Sequence, residues 1–306
     1  MNSSLKKKIY LLIKILISLS LLLLLFTLKI NINELLVILI KARYSYLFLA
    51  LIPTALLIVI KAYKWQMLVN FSLEERVKYR ESLFSLLYGL APGLLTPGRA
   101  GEILRITTMS RFSKIKLAEL FLVDKFIELS SLFLIAAVGS LILKFYGLFL
   151  TTFLLFVFSI ALFNFRKTLF IPLLRVISKV VHRQVQILFQ EIAFRHFLYY
   201  LLMSVAVLLL DIIAFYCIIN ALQDVNFTAC MLAFPIILAA AVIPVSISGL
   251  GVREAAAVYV LSFFKVSPEV AFNASLLIFI VGSIIPAVAG QVSFLLSSKV
   301  KVEKRG

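Results

Sequence analysis

Charge is what this chain of 306 residues has least of: Asp, Glu, Lys and Arg together make up 15%. Ordinary soluble domains carry about 25% charged and about 45–50% apolar residues. Here 63% are hydrophobic and the mean hydropathy is +1.10, which excludes a water-soluble globule. The chain reads as an all-α polytopic membrane protein. Acidic residues are scarcer still, 14 against 31 basic, for a net charge of +17. In a soluble protein that excess would suggest nucleic acid. In a membrane protein Lys and Arg collect in cytoplasmic loops, and no nucleic-acid partner is expected. Cysteine is limited to Cys217 and Cys230, which define no disulfide framework and show no metal spacing. His182 and His196 lie in a basic stretch without acidic or thiol neighbours, so no metal site is expected. G-x-S-x-G, H-E-x-x-H and a Gly-rich phosphate loop ending in Lys are all missing, which leaves no catalytic residue and no cofactor to name.

Apolar runs, by contrast, fill the chain. About 20 apolar residues cross a hydrocarbon layer roughly 30 Å thick. Full spans read at 9–28, 44–64, 117–143, 148–165, 198–221 and 271–297, about six in all. The first follows Lys6, Lys7 and Lys8 but exceeds the roughly 7–15 residues of a signal sequence, and no small-residue cleavage site follows it. It reads as a retained anchor. With the amino terminus inside, only Lys29, Lys41, Arg43, Lys144 and Lys265 fall outside. Lys14, Arg99, Arg105, Lys125 and Arg253 fall within apolar segments, and the remaining basic residues, Lys61 and Lys64 among them, sort to the cytoplasmic side. Both termini are then cytoplasmic. Tyr44, Tyr46, Tyr63, Trp65, Tyr146, Tyr199 and Tyr200 mark span ends, as an interfacial aromatic belt requires. Residues 166–196 place Arg175, Lys179 and Arg183 opposite Leu174, Ile177 and Val181, the pattern of a basic amphipathic linker on the inner leaflet.

Two further apolar stretches, 82–107 and 228–264, are interrupted by Pro and Gly. The first reads Tyr88-Gly-Leu-Ala-Pro-Gly-Leu-Leu-Thr-Pro-Gly-Arg-Ala-Gly-Glu-Ile-Leu-Arg105. The second reads Ala240-Ala-Val-Ile-Pro-Val-Ser-Ile-Ser-Gly-Leu-Gly-Val-Arg-Glu-Ala-Ala-Ala257. Each runs from an apolar helix through proline and a glycine pair to Arg and Glu opening another helix. The charge sorting holds only if each stretch leaves on the side it entered or crosses twice. We therefore expect two broken re-entrant hairpins within a single membrane domain, 1–306. Its two inverted repeats would be about 1–147 and about 148–306. Non-helical backbone at bilayer depth survives only when buried in protein or lining a wet cavity. Paired interrupted segments in corresponding halves point to a transporter's midplane site, and half-helix N–H groups favour an anion such as phosphate. The candidate anion-binding residues are Gly98, Arg99, Gly101, Glu102, Arg105, Gly249, Gly251, Arg253 and Glu254. The simpler reading is that the prolines only kink ordinary spans and each Arg pairs with its neighbouring Glu.

Asp124 and Glu128 share a helix face with Ser131, and Lys125 can reach Glu128 one turn on. Charges at mid-span are costly and face the bundle interior. These two carboxylates are candidates for a coupling proton or a cationic headgroup, or else for pairing with Arg99, Arg105 or Arg253. Asp211, central in its span with no local partner, reads as structural, pairing with one of those arginines.

At these residues the chain resembles the lysylphosphatidylglycerol synthase transmembrane-region family, also described as flippase-like. The features are Lys61-Ala-Tyr-Lys-Trp65, Pro97-Gly-Arg-Ala-Gly-Glu-Ile-Leu-Arg105, Asp124 with Glu128, and Pro244-Val-Ser-Ile-Ser-Gly-Leu-Gly-Val-Arg-Glu254, in the family's order. The resemblance implies a bacterial or archaeal cytoplasmic membrane protein. In some members this module moves aminoacylated phosphatidylglycerol between leaflets, and a separate carboxy-terminal cytosolic domain makes that lipid from aminoacyl-tRNA. Nine residues follow the last apolar span here, so the expectation is movement of a phospholipid or lipid-linked headgroup rather than lysyl transfer. Its partners would be anionic or aminoacylated phospholipids and a separate lipid-modifying enzyme. The rival readings are a membrane-embedded transferase or accessory subunit acting on lipids, and a small-solute secondary transporter.

Overall fold

The computed structural model describes residues 32–73, 76–96, 98–165, 194–243 and 245–303. The expected anchor at 9–28, nearly all of the linker at 166–196, Pro97 and Pro244 lie outside these residues. The described residues form ten α-helices and no strand. They are α1 (Ile32–Ile40), α2 (Tyr44–Ser72), α3 (Tyr79–Leu94), α4 (Lys114–Ile142), α5 (Tyr146–Asn164), α6 (Phe194–Leu222), α7 (Phe227–Val242), α8 (Val252–Ser262), α9 (Pro268–Phe279) and α10 (Ile285–Glu303). A 3-10 helix, Ala100–Thr108, follows α3, and a π-helical turn, Ile280–Ile284, joins α9 to α10.

Four segments are long and apolar enough to cross a membrane: Tyr44–Ser72, Tyr146–Phe163, Arg195–Leu222 and Pro268–Leu295. They coincide with four of the six expected spans. The expected span at 117–143 is one unbroken 29-residue helix, α4, but it stands apart from these four. Asp124, Lys125 and Glu128 occupy its first half, so that half needs protein rather than lipid around it. Of the six expected spans, four are matched by these segments, the one at 117–143 is the long helix α4, and the one at 9–28 lies outside the described residues.

α2 shows how lipid and protein share one helix. Phe48, Ile52, Leu56, Val59 and Tyr63 recur every three or four residues and are all exposed, while Ala50, Thr54, Leu57, Lys64, Trp65 and Leu68 on the other face are buried. The outer face is as apolar as the inner one because it meets acyl chains instead of water. α2 and α6 lie antiparallel. At one end the Arg43 N–H donates to Ala221 O at 2.8 Å, and the Arg43 guanidinium pairs with Asp224 at 2.6 Å. At the other end Phe71 and His196 are in ring contact at 4.7 Å.

Two close approaches tie the first part of the chain to the second. On α4, Gly139 packs on the Leu232 carbonyl of α7, where a Cβ would come within 2.9 Å. On α10, Gly290 packs on the Leu87 carbonyl of α3, where a Cβ would come within 2.5 Å. One apolar cluster centres on α6, α7, α8 and α9, with Phe215 stacked on Phe234 at 4.4 Å. A second gathers Trp65, Leu68, Leu117, Phe121 and Tyr200. The candidate site lies between them.

Candidate functional site

The first interruption begins where Pro92 removes a backbone donor from the last turn of α3. Gly98 and Arg99 then take left-handed backbone angles, φ +59° and +56°. For arginine this conformation costs about 1–2 kcal/mol, so the backbone alone does not favour that residue there. The following 3-10 helix packs tightly on α3. Thr96 Oγ1 accepts from the Gly101 N–H at 2.7 Å and donates to Pro92 O at 3.1 Å. A Cβ on Gly101 would stand 2.2 Å from that same carbonyl. Ser85 Oγ donates to Arg105 O at 2.9 Å. From this turn the Arg99 side chain donates to Ser283 Oγ in the π-helical turn and lies 3.8 Å from Glu102.

The second interruption uses the same means in a different order. Ser248, Gly249 and Gly251 have φ +53°, +75° and +83°. α8 then opens with Glu254, whose Oε2 accepts the Gly251 N–H at 2.6 Å, half of a capping box. Its Oε1 accepts from the Arg253 guanidinium and, at 3.1 Å, from Ser275 Oγ. Arg253 Nε also donates to Ser275 Oγ at 3.0 Å, and the guanidinium lies 4.5 Å from the centre of the Phe279 ring. Ser275, Phe279 and Ser283 follow one another along α9 and the π turn, so a single helix carries the partners of both arginines.

A dense ion-pair network joins α2, α4 and the 3-10 helix. Asp124 is held by Lys64 at 2.9 Å and by Arg105 at 2.7 Å, all three buried. The Arg105 guanidinium is sandwiched between the Trp65 ring at 4.0 Å and the Phe121 ring at 4.9 Å. Glu128 meets Lys64 at 3.3 Å, Lys61 at 3.8 Å and Lys125 at 2.8 Å. Lys125 also binds Glu102 at 2.6 Å, and Lys64 Nζ donates to Ser204 Oγ on α6 at 2.9 Å.

Arg99 and Arg253 both line one cavity of about 360 Å³, within the roughly 300–1,000 Å³ range of small-ligand sites. Its other charged side chains are Lys61, Lys125, Glu128 and Asp211, so cations outnumber carboxylates. Gly98, Ser131, Ser204, Ser248 and Ser283 add polar surface, and Phe121, Phe234 and Phe279 add aromatic surface. Ser248 Oγ is buried without a hydrogen-bond partner among the described residues.

With that geometry in place, the comparison with known families is decisive. Residues 11–290 match the family described as lysylphosphatidylglycerol synthase TM region. The chain belongs to that family. It is accordingly a multi-pass membrane protein. No curated protein matches the chain.

The structure of this family member separates the expected site residues. Gly98, Arg99, Arg253 and Glu128 face the cavity. Arg105 and Asp124 are sealed behind it, and Glu102 and Glu254 hold cations that do reach it. The glycines do not offer free donors as a group, because the N–H groups of Gly101 and Gly251 are already spent on Thr96 and Glu254. Their part is conformational. Asp211 makes no ion pair with any arginine among the described residues; it opens onto the cavity instead. Lys61 and Lys64, sorted to the cytoplasmic side at the end of the expected span 44–64, lie inside α2, which continues to Ser72. Ser275, Phe279 and Ser283 were not anticipated, and only their common helical face could have marked them.

Proposed function

We propose that this protein moves the phosphate-bearing headgroup of a phospholipid or lipid-linked substrate between the leaflets of a bacterial or archaeal cytoplasmic membrane. The observation that carries the reading is that Arg99 and Arg253, from interruptions far apart in sequence, line the same cavity. A guanidinium offers planar paired donors to phosphate oxygens. The unpartnered hydroxyl of Ser248, a residue that lines the same cavity, is a further donor. The headgroup would pass through this polar space while its acyl chains stay in lipid, past helices whose outer faces are apolar. Glu102, Asp124, Glu128 and Glu254 keep the cations charged and in place when the site is empty.

The same reading takes the interruptions as re-entrant hairpins and the chain as two inverted halves, about 1–147 and 148–306, with both termini cytoplasmic. Three observations support it. Gly101 against Pro92 and Gly249 against Ala241 each bring the segment after a break back onto the helix before it. α2 and α6, second spans of the two halves, are antiparallel. The Gly139–Leu232 and Gly290–Leu87 approaches are reciprocal, each half's last long helix packing on the other half's broken helix, as a pseudo-two-fold requires.

The test is translocation of fluorescent phosphatidylglycerol in proteoliposomes. Wild-type protein should accelerate exchange between leaflets, and Arg99→Gln or Arg253→Gln should slow it while folded protein persists. Wild-type vesicles that exchange lipid no faster than empty ones would refute the reading. Lipid mass spectrometry guards against the enzymatic alternative, since movement changes sidedness and modification changes species.

A further inference from the structure

We propose that Asp211 is the proton-binding group of the cavity, and that its protonation is linked to anion binding by Arg99 and Arg253. The inference rests on the reading of the cavity as a phosphate site and adds to it the ion that would couple to transport.

Among the carboxylates in and around the cavity, Asp211 alone holds no cation. Glu102 has Lys125, Asp124 has Lys64 and Arg105, Glu128 has three lysines, and Glu254 has Arg253, Ser275 and the Gly251 N–H. Asp211 has no hydrogen bond or ion pair among the described residues, yet it lines the cavity from near the middle of the span Arg195–Leu222. An ionised carboxylate at that depth with no partner is costly, and a proton from the cavity removes the cost.

The groups around it fix the direction of the linkage. The charged side chains facing the same space are Lys61 from α2, Arg99 from the first interruption, Lys125 and Glu128 from α4, and Arg253 at the start of α8. α7 contributes apolar side chains, and α9 with the π turn contributes Phe279, Ser283 and aliphatic groups. Lys61, Arg99 and Glu128 lie within electrostatic reach of Asp211. When ionised, Asp211 adds a negative charge to the space an incoming phosphate must enter and offsets part of the attraction of Arg99 and Lys61. When protonated, it does not. Each event therefore favours the other, by the same factor in both directions.

The probe is glycerophosphoglycerol, a soluble phosphodiester that stays singly charged from mildly acidic to mildly alkaline pH. Its binding to the full chain in detergent is followed by calorimetry, with proton uptake read in parallel from an indicator dye in weak buffer. Wild-type protein should bind roughly ten- to a hundredfold more tightly at the acid end, and take up on the order of one proton per anion where Asp211 titrates. Asp211→Asn breaks no contact, so it should fold, bind with an affinity independent of pH, and take up no proton. Asp211→Glu should restore the uptake. Binding with the same proton uptake in Asp211→Asn, or wild-type binding with no uptake, overturns the linkage and leaves the phosphate reading standing. Failure of wild-type protein to bind the probe, together with failure to exchange labelled lipid, overturns both.

Discussion

Neutralising Asp124 should destabilise the fold rather than act on transport directly. The carboxylate is 2% exposed and stands between two equally buried cations, Lys64 at 2.9 Å and Arg105 at 2.7 Å. In Asp124→Asn, Lys64 keeps Glu128 and Ser204. Arg105 keeps only the faces of Trp65 and Phe121, with its Nε already lacking a partner. Removing one side of a buried pair costs about 3–5 kcal/mol, a large part of the roughly 5–15 kcal/mol that holds a domain folded. Trp65 is the sole tryptophan and lies 4.0 Å from the Arg105 guanidinium, so its emission reports on this layer. Thermal unfolding in mild detergent, followed by that emission, should show a clearly lowered midpoint. The double variant Asp124→Leu with Arg105→Met replaces the pair by apolar groups of similar size and should recover much of the loss. An Asp124→Asn protein with the wild-type midpoint and unchanged emission would refute the reasoning, because the pair would then contribute nothing.

The remaining predictions separate function from fold. Arg99→Gln should cost under about 1 kcal/mol, since the side chain is 37% exposed and its ion pair is long, while lipid exchange falls sharply in the same preparation. Ser283→Ala removes the hydroxyl that steadies Arg99; the expected result is weaker glycerophosphoglycerol binding with the unfolding midpoint unchanged. Gly101→Ala would drive a methyl to 2.2 Å from Pro92 O, costing about 1–3 kcal/mol or more and lowering the midpoint. Gly282→Ala, whose methyl would meet nothing closer than 4.0 Å, should leave that midpoint near the wild-type value.

The interruptions were legible because Pro and Gly in an apolar run have few explanations, and an Arg-Glu pair beside them has fewer still. The all-helical architecture was legible from run length, as the four long apolar segments show. Lys64 was not. A cation at the last position of an expected span looks like an interfacial residue, and only Asp124 and Glu128 on a helix far along the chain make it an interior one. The same distance hid Ser275 and Ser283. A serine in an apolar helix carries no signal of its own, and only the four-residue spacing with Phe279 sets these two apart. Asp211 was misread for the opposite reason. A lone carboxylate in a span invites the nearest arginine as partner, but each arginine offered was already held by another carboxylate.

Three arginines in this region differ in role through their surroundings, although each has a carboxylate within ion-pairing distance. Arg105 is walled in by two aromatic rings and by Asp124, and it does not line the cavity. Its charge holds α4 to the 3-10 helix through Asp124. Arg253 is nearly as buried, yet it lines the cavity and leans on Phe279, which leaves its direction fixed and one side open. Arg99 pairs loosely, at 3.8 Å, from a left-handed turn that costs energy to maintain. A binding site needs the last two kinds together. The fixed arginine defines where an anion sits, and the loosely held one can leave Glu102 for it at little cost. Because Glu102 keeps Lys125 at 2.6 Å when Arg99 departs, that exchange strands no buried carboxylate.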